Sequence, residues 1–349
     1  MKQEGRREAN IELLRVLCCL MVLVFHVINT CIDLNNYSLG TRILIGEGLY
    51  GGGRVAVNVF VIIGAWFLCE SNFSIKRIRK LFLCNLVYQL VIGMIFLING
   101  QAGILWLCKH LFSITTNQVW FISAYLVLLL IAPLLNEALR CKNSGTILFI
   151  LFIIFCVIPT FYPRCSFQLS DMAWFALLYM FTGYLKRCSM RITNNISVLL
   201  LLFFVSWTIP VVWTMSYEYI NANCVEVFNR LGLTKNVYIS NLNTLPAVIS
   251  SFALFFIFKK VHIESNKLSN LICFLSATTL DIYIIFSSNS PHEYLWWIDV
   301  LQLKYVNSIG RVYVMVLAAF VGGLIIGRVR INIQHLVEQW WNNMKRVNV

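Results

Sequence analysis

The stretch that decides the fold is the first apolar run, Asn10-Ile-Glu12-Leu-Leu-Arg15-Val-Leu-Cys-Cys-Leu-Met-Val-Leu-Val-Phe-His26. A helix needs about 20 mostly apolar residues to cross roughly 30 Å of hydrocarbon, and this run supplies most of them. Later segments have the same character, so the sequence predicts an all-α integral membrane protein with about ten transmembrane helices. The predicted spans are 12–30, 55–70, 81–99, 119–135, 146–162, 172–186, 197–214, 243–258, 268–287 and 309–327.

The composition excludes the other broad classes of protein. Of the 349 residues, 59% are hydrophobic and 12% are charged, and the mean hydropathy is +0.75. A soluble domain is nearer a quarter charged, and a disordered chain has few aromatic residues. The 12 cysteines form no C-x-x-C pair and several lie inside apolar runs, so they predict small core residues rather than a disulfide framework or a metal site.

The basic residues orient the predicted spans. The formal net charge of +13 would suggest a nucleic-acid surface in a soluble protein. In a membrane protein, Lys and Arg collect in the cytoplasmic loops, and most of the 28 basic residues here fall in alternate loops. We therefore expect both termini to be cytoplasmic and no nucleic-acid partner. Residues 1–330 would form one transmembrane domain, and 331–349 a short cytoplasmic tail that could lie as an interfacial helix.

Ionisable groups inside apolar spans are costly and usually mark function, and the first span has three of them. His26 follows Arg15 by eleven helical steps, which places the two at nearly the same azimuth and about 16.5 Å apart along the axis. Glu12 precedes Arg15 by three residues and can pair with it. His26 is a candidate general base. The alternatives are a snorkelling anchor for Arg15 and an interhelical hydrogen bond for His26.

Other polar residues give weaker signals. Asn58 is either a ligand contact or, as we favour, an interhelical hydrogen bond, and Asp281 needs a partner or a water-filled cavity. The basic run Lys76-Arg77-Ile-Arg79-Lys80 could hold anionic lipid headgroups or the phosphates of a nucleotide-bearing cofactor. The other histidines, including His110, are predicted to lie in loops or near interfaces and to have no catalytic role.

These residues resemble the signatures of acyltransferase family 3, multi-spanning bacterial enzymes that acylate envelope carbohydrates. The family's Arg/Lys, ten residues, His signature falls on Arg15 and His26. Its Phe-x-x-Ser-Gly-Phe segment is similar to Phe60-Val-Ile-Ile63-Gly64-Ala, with Ile63 in place of Ser, and its Arg-x-x-Arg element is similar to the basic run 76–80. Trp120-Phe121 and Ile282-Tyr283-Ile-Ile-Phe286 resemble two further segments, although Phe286 replaces the family's second histidine.

The resemblance implies transfer of an acyl group, acetyl by default, from cytoplasmic acyl-CoA to a hydroxyl of an extracytoplasmic polysaccharide or other envelope glycan. It implies a multi-pass protein of the bacterial cytoplasmic (inner) membrane, with membrane lipid, acyl-CoA and the glycan as partners and no metal. The expected catalytic residues are His26, Arg15 and Glu12, and the expected acyl-CoA contacts are Lys76, Arg77, Arg79 and Lys80. Asn58, Trp120, Asp281 and Tyr283 would bind substrate or support the site.

Two alternatives to an enzyme remain at this stage. A proton-coupled transporter or flippase of an envelope precursor would use His26 and Asp281 as relay groups, but the halves of the sequence show no matching pair of broken spans. A non-catalytic subunit of the same fold would explain the departures at Ile63 and Phe286. Both alternatives predict that no acyl donor is consumed.

Overall fold

The computed structural model describes residues 8–31, 52–116, 119–188, 195–292, 295–301, 303 and 309–347. Within these ranges the chain is helical, and the only extended pairing is one bridge between Asn289 and Leu295. The helices are α1 (Ala9–Cys31), α2 (Gly52–Leu68), α3 (Ile75–Ile98), α4 (Ile104–Leu111), α5 (Trp120–Ala138), α6 (Ser144–Phe161), α7 (Asp171–Cys188), α8 (Ile196–Leu231), α9 (Val237–Ser240), α10 (Leu245–Lys259), α11 (Asn266–Ser276), α12 (Thr279–Ser287), α13 (Trp296–Val300) and α14 (Ile309–Val347).

The all-α membrane class is confirmed. Each of the ten predicted spans coincides with helix, and in the described ranges seven helical segments are long and apolar enough to cross a membrane. Two further apolar helices, α2 and α10, are shorter. The number of crossings and the compartment of each terminus stay predictions.

Helix ends that the sequence assigned to one side of the membrane meet at one end of the bundle. Lys259, at the end of α10, pairs with Glu8 before α1 at 2.9 Å, and Lys186, at the end of α7, pairs with Glu70 after α2 at 2.7 Å. Both ammonium groups also lie over the ring of Trp66, at 5.5 and 5.3 Å. We call this the basic end of the bundle.

The first helix is central, as its apolar sequence requires. Leu14, Cys18, Leu23 and Val27 have almost no exposed surface. α1 packs against α2, α10, α11, α12 and α14, so these helices enclose most of its surface. A central helix holds its polar side chains inside the bundle, and this arrangement places the predicted site at the core rather than at the lipid surface.

The predicted ninth span, 268–287, is broken into α11 and α12. The chain leaves the helix at Ala277 and Thr278, and α12 restarts at Thr279, whose backbone carbonyl faces the Cys19 Sγ on α1 at 3.8 Å. The break places Asp281 in the first turn of α12. A carboxylate is favoured there because the unsatisfied N–H groups of a helix start carry partial positive charge.

The segment between the third and fourth spans is not the outer loop that the sequence predicted. It contains α4, which packs beside α3, with Trp106 against Phe96 at 5.7 Å between ring centroids. Ser113, after α4, accepts a 2.9 Å hydrogen bond from the Asn85 amide in the middle of α3. The predicted loop position of His110 was wrong, because His110 lies in α4 with its side chain fully buried and stacked on Trp106. The polar groups at the end of this segment are therefore buried against α3 rather than exposed in a loop.

Two other helices are longer than predicted. α8 continues beyond residue 214 through the stretch interpreted as a polar loop, with a kink at Cys224, and ends at Leu231, before Gly232 in a left-handed conformation (φ 76°). α14 continues without a break through residue 330 to Val347. Residues 331–347 of the predicted tail are thus an extension of the last helix.

Candidate active site

A cavity of about 430 Å³ opens among α1, α2, α3, α5, α12 and α14. Four cations line it: Arg15, Arg77, Lys80 and Arg330. The rest of its wall is mostly apolar and includes Val22, Val57, Phe60, Ile63, Gly64, Cys84, Phe121, Tyr125 and Tyr283. The cavity therefore combines a cationic region with an apolar body.

Arg15 and Glu12 lie together as the sequence predicted. Their side chains are 3.7 Å apart, and the Glu12 carboxylate is nearly buried. The Arg15 Nε is buried and, within the described ranges, has no hydrogen-bond partner. Because Arg15 also lines the cavity, its guanidinium can bind a ligand there in addition to Glu12.

The structure divides the basic run into two pairs. α3 begins at Ile75, so residues 76–80 are helical rather than a loop. Arg77 and Lys80, three residues apart on one face, line the cavity, and the Arg77 Nη1 donates a 2.9 Å hydrogen bond to the Ser71 Oγ. Lys76 and Arg79 are exposed and do not belong to the cavity wall. Of the four predicted donor contacts, two line the cavity.

Asp281 has the buried partner that the sequence required. Its carboxylate is 0% exposed, and Arg330 on α14 binds both of its oxygens: Nε to Oδ1 at 2.5 Å and Nη2 to Oδ2 at 3.0 Å. The Tyr88 hydroxyl on α3 donates to Oδ1 at 2.8 Å. Three helices therefore meet at one carboxylate, and Arg330, rather than Asp281, reaches the cavity.

His26 lies on α1 one helical turn beyond Val22, which belongs to the cavity wall. Its imidazole is half-buried and packs edge-on against Phe25, with 5.6 Å between ring centroids. His26 is not among the described residues that line the cavity, so the cavity follows α1 from Arg15 to Val22 and ends about one helical turn before the imidazole.

Arg54 accompanies His26 at this end and was not predicted as a site residue. It lies in the first turn of α2, half-buried, with its guanidinium carbon 5.4 Å from the Phe25 ring and 5.9 Å from the Trp120 ring. It is close enough for its charge to act on the side chains of His26 and Tyr283. In the sequence, the feature that could have identified Arg54 as a site residue was its position as a single arginine directly before the apolar span 55–70.

The remaining predicted residues have supporting positions. Asn58 is fully buried; its Nδ2 donates to the Leu242 carbonyl at 2.8 Å, and its Oδ1 accepts from the Trp174 Nε1 at 3.0 Å. The bond with Trp174 on α7 is the interhelical hydrogen bond that we favoured, and the bond to Leu242 joins α2 to the turn before α10. Tyr283 lines the cavity and packs edge-on against Phe121 at 5.2 Å, whereas Trp120 contacts Arg54.

The two departures from the resemblance lie in different surroundings. Ile63, in place of the usual serine, belongs to the cavity wall. Phe286, in place of the second histidine, packs against Trp297 at 5.5 Å and beside Gly323 of α14. Ile63 therefore adds an apolar contact to the cavity, and Phe286 fills a helix–helix contact.

Comparison with known proteins decides the family. A family model described as an acyltransferase domain matches residues 8–328, which is nearly the whole chain. The chain belongs to acyltransferase family 3. Searches of curated proteins and of solved structures give no match. As a member of this family the protein is a multi-pass membrane acyltransferase, and the matched region contains Arg15, His26, the basic run and Asp281, but ends before Arg330.

Proposed function

We propose that this acyltransferase family 3 protein moves an acyl group, acetyl in the simplest case, from acyl-CoA to a hydroxyl of an envelope glycan. The observation that carries the proposal is the 430 Å³ cavity, which is cationic where Arg15, Arg77 and Lys80 line it and apolar up to the turn below His26. In the predicted orientation the basic end faces the cytoplasm of a bacterium, where acyl-CoA is made, and the protein lies in the cytoplasmic membrane.

The cavity suits the donor chemically. Phosphates bind arginine and lysine through charge-assisted hydrogen bonds, which are stronger than neutral ones. The apolar wall formed by Val57, Phe60 and Phe121 suits the long pantetheine arm and a short acyl group. A donor with its phosphates among the cations would direct its thioester along α1 toward His26, since Arg15 and His26 share one face of that helix.

The acceptor reacts at the other end of this route. The glycan hydroxyl oxygen attacks the thioester carbonyl carbon while the His26 imidazole takes the hydroxyl proton. The carbon–sulfur bond of the resulting tetrahedral intermediate then breaks, and the proton passes to the leaving sulfur, giving the ester and free CoA. A positioned base contributes about a hundredfold to ten-thousandfold to such a step. The nearby Arg54 guanidinium would stabilise the negative oxygen of the intermediate.

Direct transfer is the mechanism that we favour over a covalent acyl-enzyme. Cys18 and Cys19 on α1 are buried among core residues, and the thiol of Cys84, which lines the cavity, donates to the Asp281 carboxylate at 3.7 Å. A serine at the position of Ile63 would have been a candidate nucleophile in the cavity wall, but isoleucine has no reactive group. Donor and acceptor would then bind together in a ternary complex.

The experiment is mass analysis of surface polysaccharide from cells with the gene, without it, and with a His26→Ala variant that accumulates in the membrane to the parental level. We expect one acyl mass increment to be lost in the deletion strain and in the variant. Glycans of unchanged mass in the deletion strain would contradict the glycan acceptor. Transport of an envelope precursor without consumption of acyl-CoA by the purified, reconstituted protein would favour the transporter alternative instead.

A further inference from the structure

We propose that Arg330 is a donor-binding residue of this enzyme and that Asp281 and Tyr88 are its positioning residues. The inference rests on the proposed function, because it names the group that Arg330 binds: the phosphate portion of acyl-CoA. It adds the helix α14 to a donor site that the sequence analysis assigned to the basic run 76–80 at the start of α3.

Arg330 lies on the wall of the cavity. Its side chain lines the same cavity as Arg15, Arg77 and Lys80, although it lies beyond both the predicted last span and the family match. The side chain is 20% exposed, so it is held inside the bundle and still has surface toward the cavity. Four cations from three helices thus face one cavity.

Neighbouring side chains hold the Arg330 guanidinium in one orientation. Its Nε and Nη2 donate to the two oxygens of Asp281, and its Nη1 donates to the Gln334 Oε1 at 2.9 Å. A guanidinium has five N–H donors in a rigid plane. These contacts use three of them, which leaves one donor on each terminal nitrogen. Two donors in a fixed plane match two oxygens of a phosphate.

Asp281 and Arg330 have different roles in this ion pair. Asp281 is fully buried and lies outside the cavity wall, so it cannot contact the donor. Its contacts with Arg330 and with the Tyr88 hydroxyl fix where the guanidinium points. The ion pair does not make the cavity neutral, because Arg77 and Lys80 line it as well. Asp281 therefore acts through Arg330.

A purely structural role is the competing explanation, in which the ion pair only ties α12 to α14. The chain offers a matched control on the same helix: Arg328 lies two residues earlier, outside the cavity wall, with its guanidinium over the Phe274 ring at 3.4 Å and bonded to the Phe274 carbonyl. Arg328→Gln and Arg330→Gln remove the same charge from α14, but only the second removes a cation from the cavity.

The test compares purified, reconstituted wild-type protein, Arg330→Gln, Arg330→Lys, Asp281→Asn and Arg328→Gln for binding of radiolabelled acetyl-CoA and for the KM of each substrate. Loss of one charge-assisted contact should raise the acetyl-CoA Kd and KM about tenfold or more in Arg330→Gln. Asp281→Asn should raise them less. Arg330→Lys should give acetyl-CoA Kd and KM values between those of wild type and Arg330→Gln, because lysine keeps the positive charge but lacks the planar guanidinium. Acceptor KM should stay within about twofold in all of them, and Arg328→Gln should match wild type.

Each outcome bears on the proposal. Wild-type affinity for acetyl-CoA in Arg330→Gln or Arg330→Lys would overturn this inference alone. Equal losses in Arg328→Gln and Arg330→Gln, accompanied by equal falls in Tm, would assign the ion pair to stability and overturn it as well. If Arg330→Gln does not accumulate, Arg330→Lys provides the same comparison. Wild-type protein that binds no acetyl-CoA would overturn the proposed function itself.

Discussion

Arg77 and Lys80 lie on the face of α3 that lines the cavity, and Lys76 and Arg79, which alternate with them in sequence, point away from it. A helix turns about 100° per residue, so positions three apart share a face and adjacent positions do not. The basic run therefore has two parts: one pair lines the cavity, and the other lies outside the cavity wall at the basic end, where it can contact lipid headgroups.

The two pairs provide a charge-matched prediction. Arg77→Gln with Lys80→Gln should raise the KM for acyl-CoA by about tenfold to a hundredfold, because a hydrogen bond to a charged group contributes about 1.5–3 kcal/mol. Lys76→Gln with Arg79→Gln removes the same charge and should change this KM less than about threefold. Steady-state kinetics with acyl-CoA varied at fixed acceptor measures both. Equal increases in the two double variants would mean that total charge, rather than the cavity position, matters.

The catalytic assignment of His26 predicts a loss of rate at nearly normal donor affinity. His26→Ala should lower kcat by about a hundredfold to ten-thousandfold, because the acceptor hydroxyl loses its base. His262→Ala is the control, since His262 is exposed after α10. Single-turnover assays with preloaded acyl-CoA measure the chemical step directly. Parental turnover in His26→Ala at normal expression would remove His26 from the mechanism.

A larger residue at Gly64 is predicted to reduce the space in the cavity that the donor occupies. A Cβ at this position would collide with the Tyr125 side chain, and both residues line the cavity. Gly64→Val should therefore push Tyr125 into the cavity and weaken acyl-CoA binding, while Gly103→Val, at a site with nothing within 4 Å of the added Cβ, should not. Binding of acetyl-CoA to the two purified variants measures the difference. Unchanged binding in Gly64→Val would place the donor elsewhere.

Substitution of Asn58 is predicted to lower the stability of the protein rather than its affinity for substrate. Asn58→Leu is close in volume but leaves the Leu242 carbonyl and the Trp174 Nε1 without their partner. A buried unsatisfied group costs about 1–3 kcal/mol, so Tm in detergent should fall. The residual folded enzyme should keep its KM for donor and acceptor. A variant with parental Tm and a raised acceptor KM would instead make Asn58 a substrate contact.

The geometry along α1 could be predicted from the sequence because it is set within one helix. The spacing of Glu12, Arg15 and His26 fixes their relative azimuth and rise once the run is helical, whatever surrounds it. The pairing of Glu12 with Arg15 follows from the same periodicity. The same periodicity would have separated Arg77 and Lys80 from Lys76 and Arg79 if the run had been predicted as helical. The predicted third span began at residue 81, however, whereas α3 begins at Ile75.

Other parts of the site depend on contacts between distant segments, which periodicity does not encode. The ion pair of Asp281 with Arg330 joins α12 to a residue that the hydropathy pattern placed beyond the last span. Arg54 becomes a site residue only because the first turn of α2 packs beside Phe25 and Trp120. α4 is eight residues long, which is too short for a hydropathy window to detect as a separate helix.

The bond between Asn85 and Ser113 has a consequence for chemical labelling of the protein in cells. The Ser113 side chain is fully buried, whereas Gly103, just before α4, is exposed. A cysteine at position 113 should therefore be shielded from water-soluble alkylating reagents added from either compartment. A cysteine at position 103 should react with such a reagent added from one compartment only.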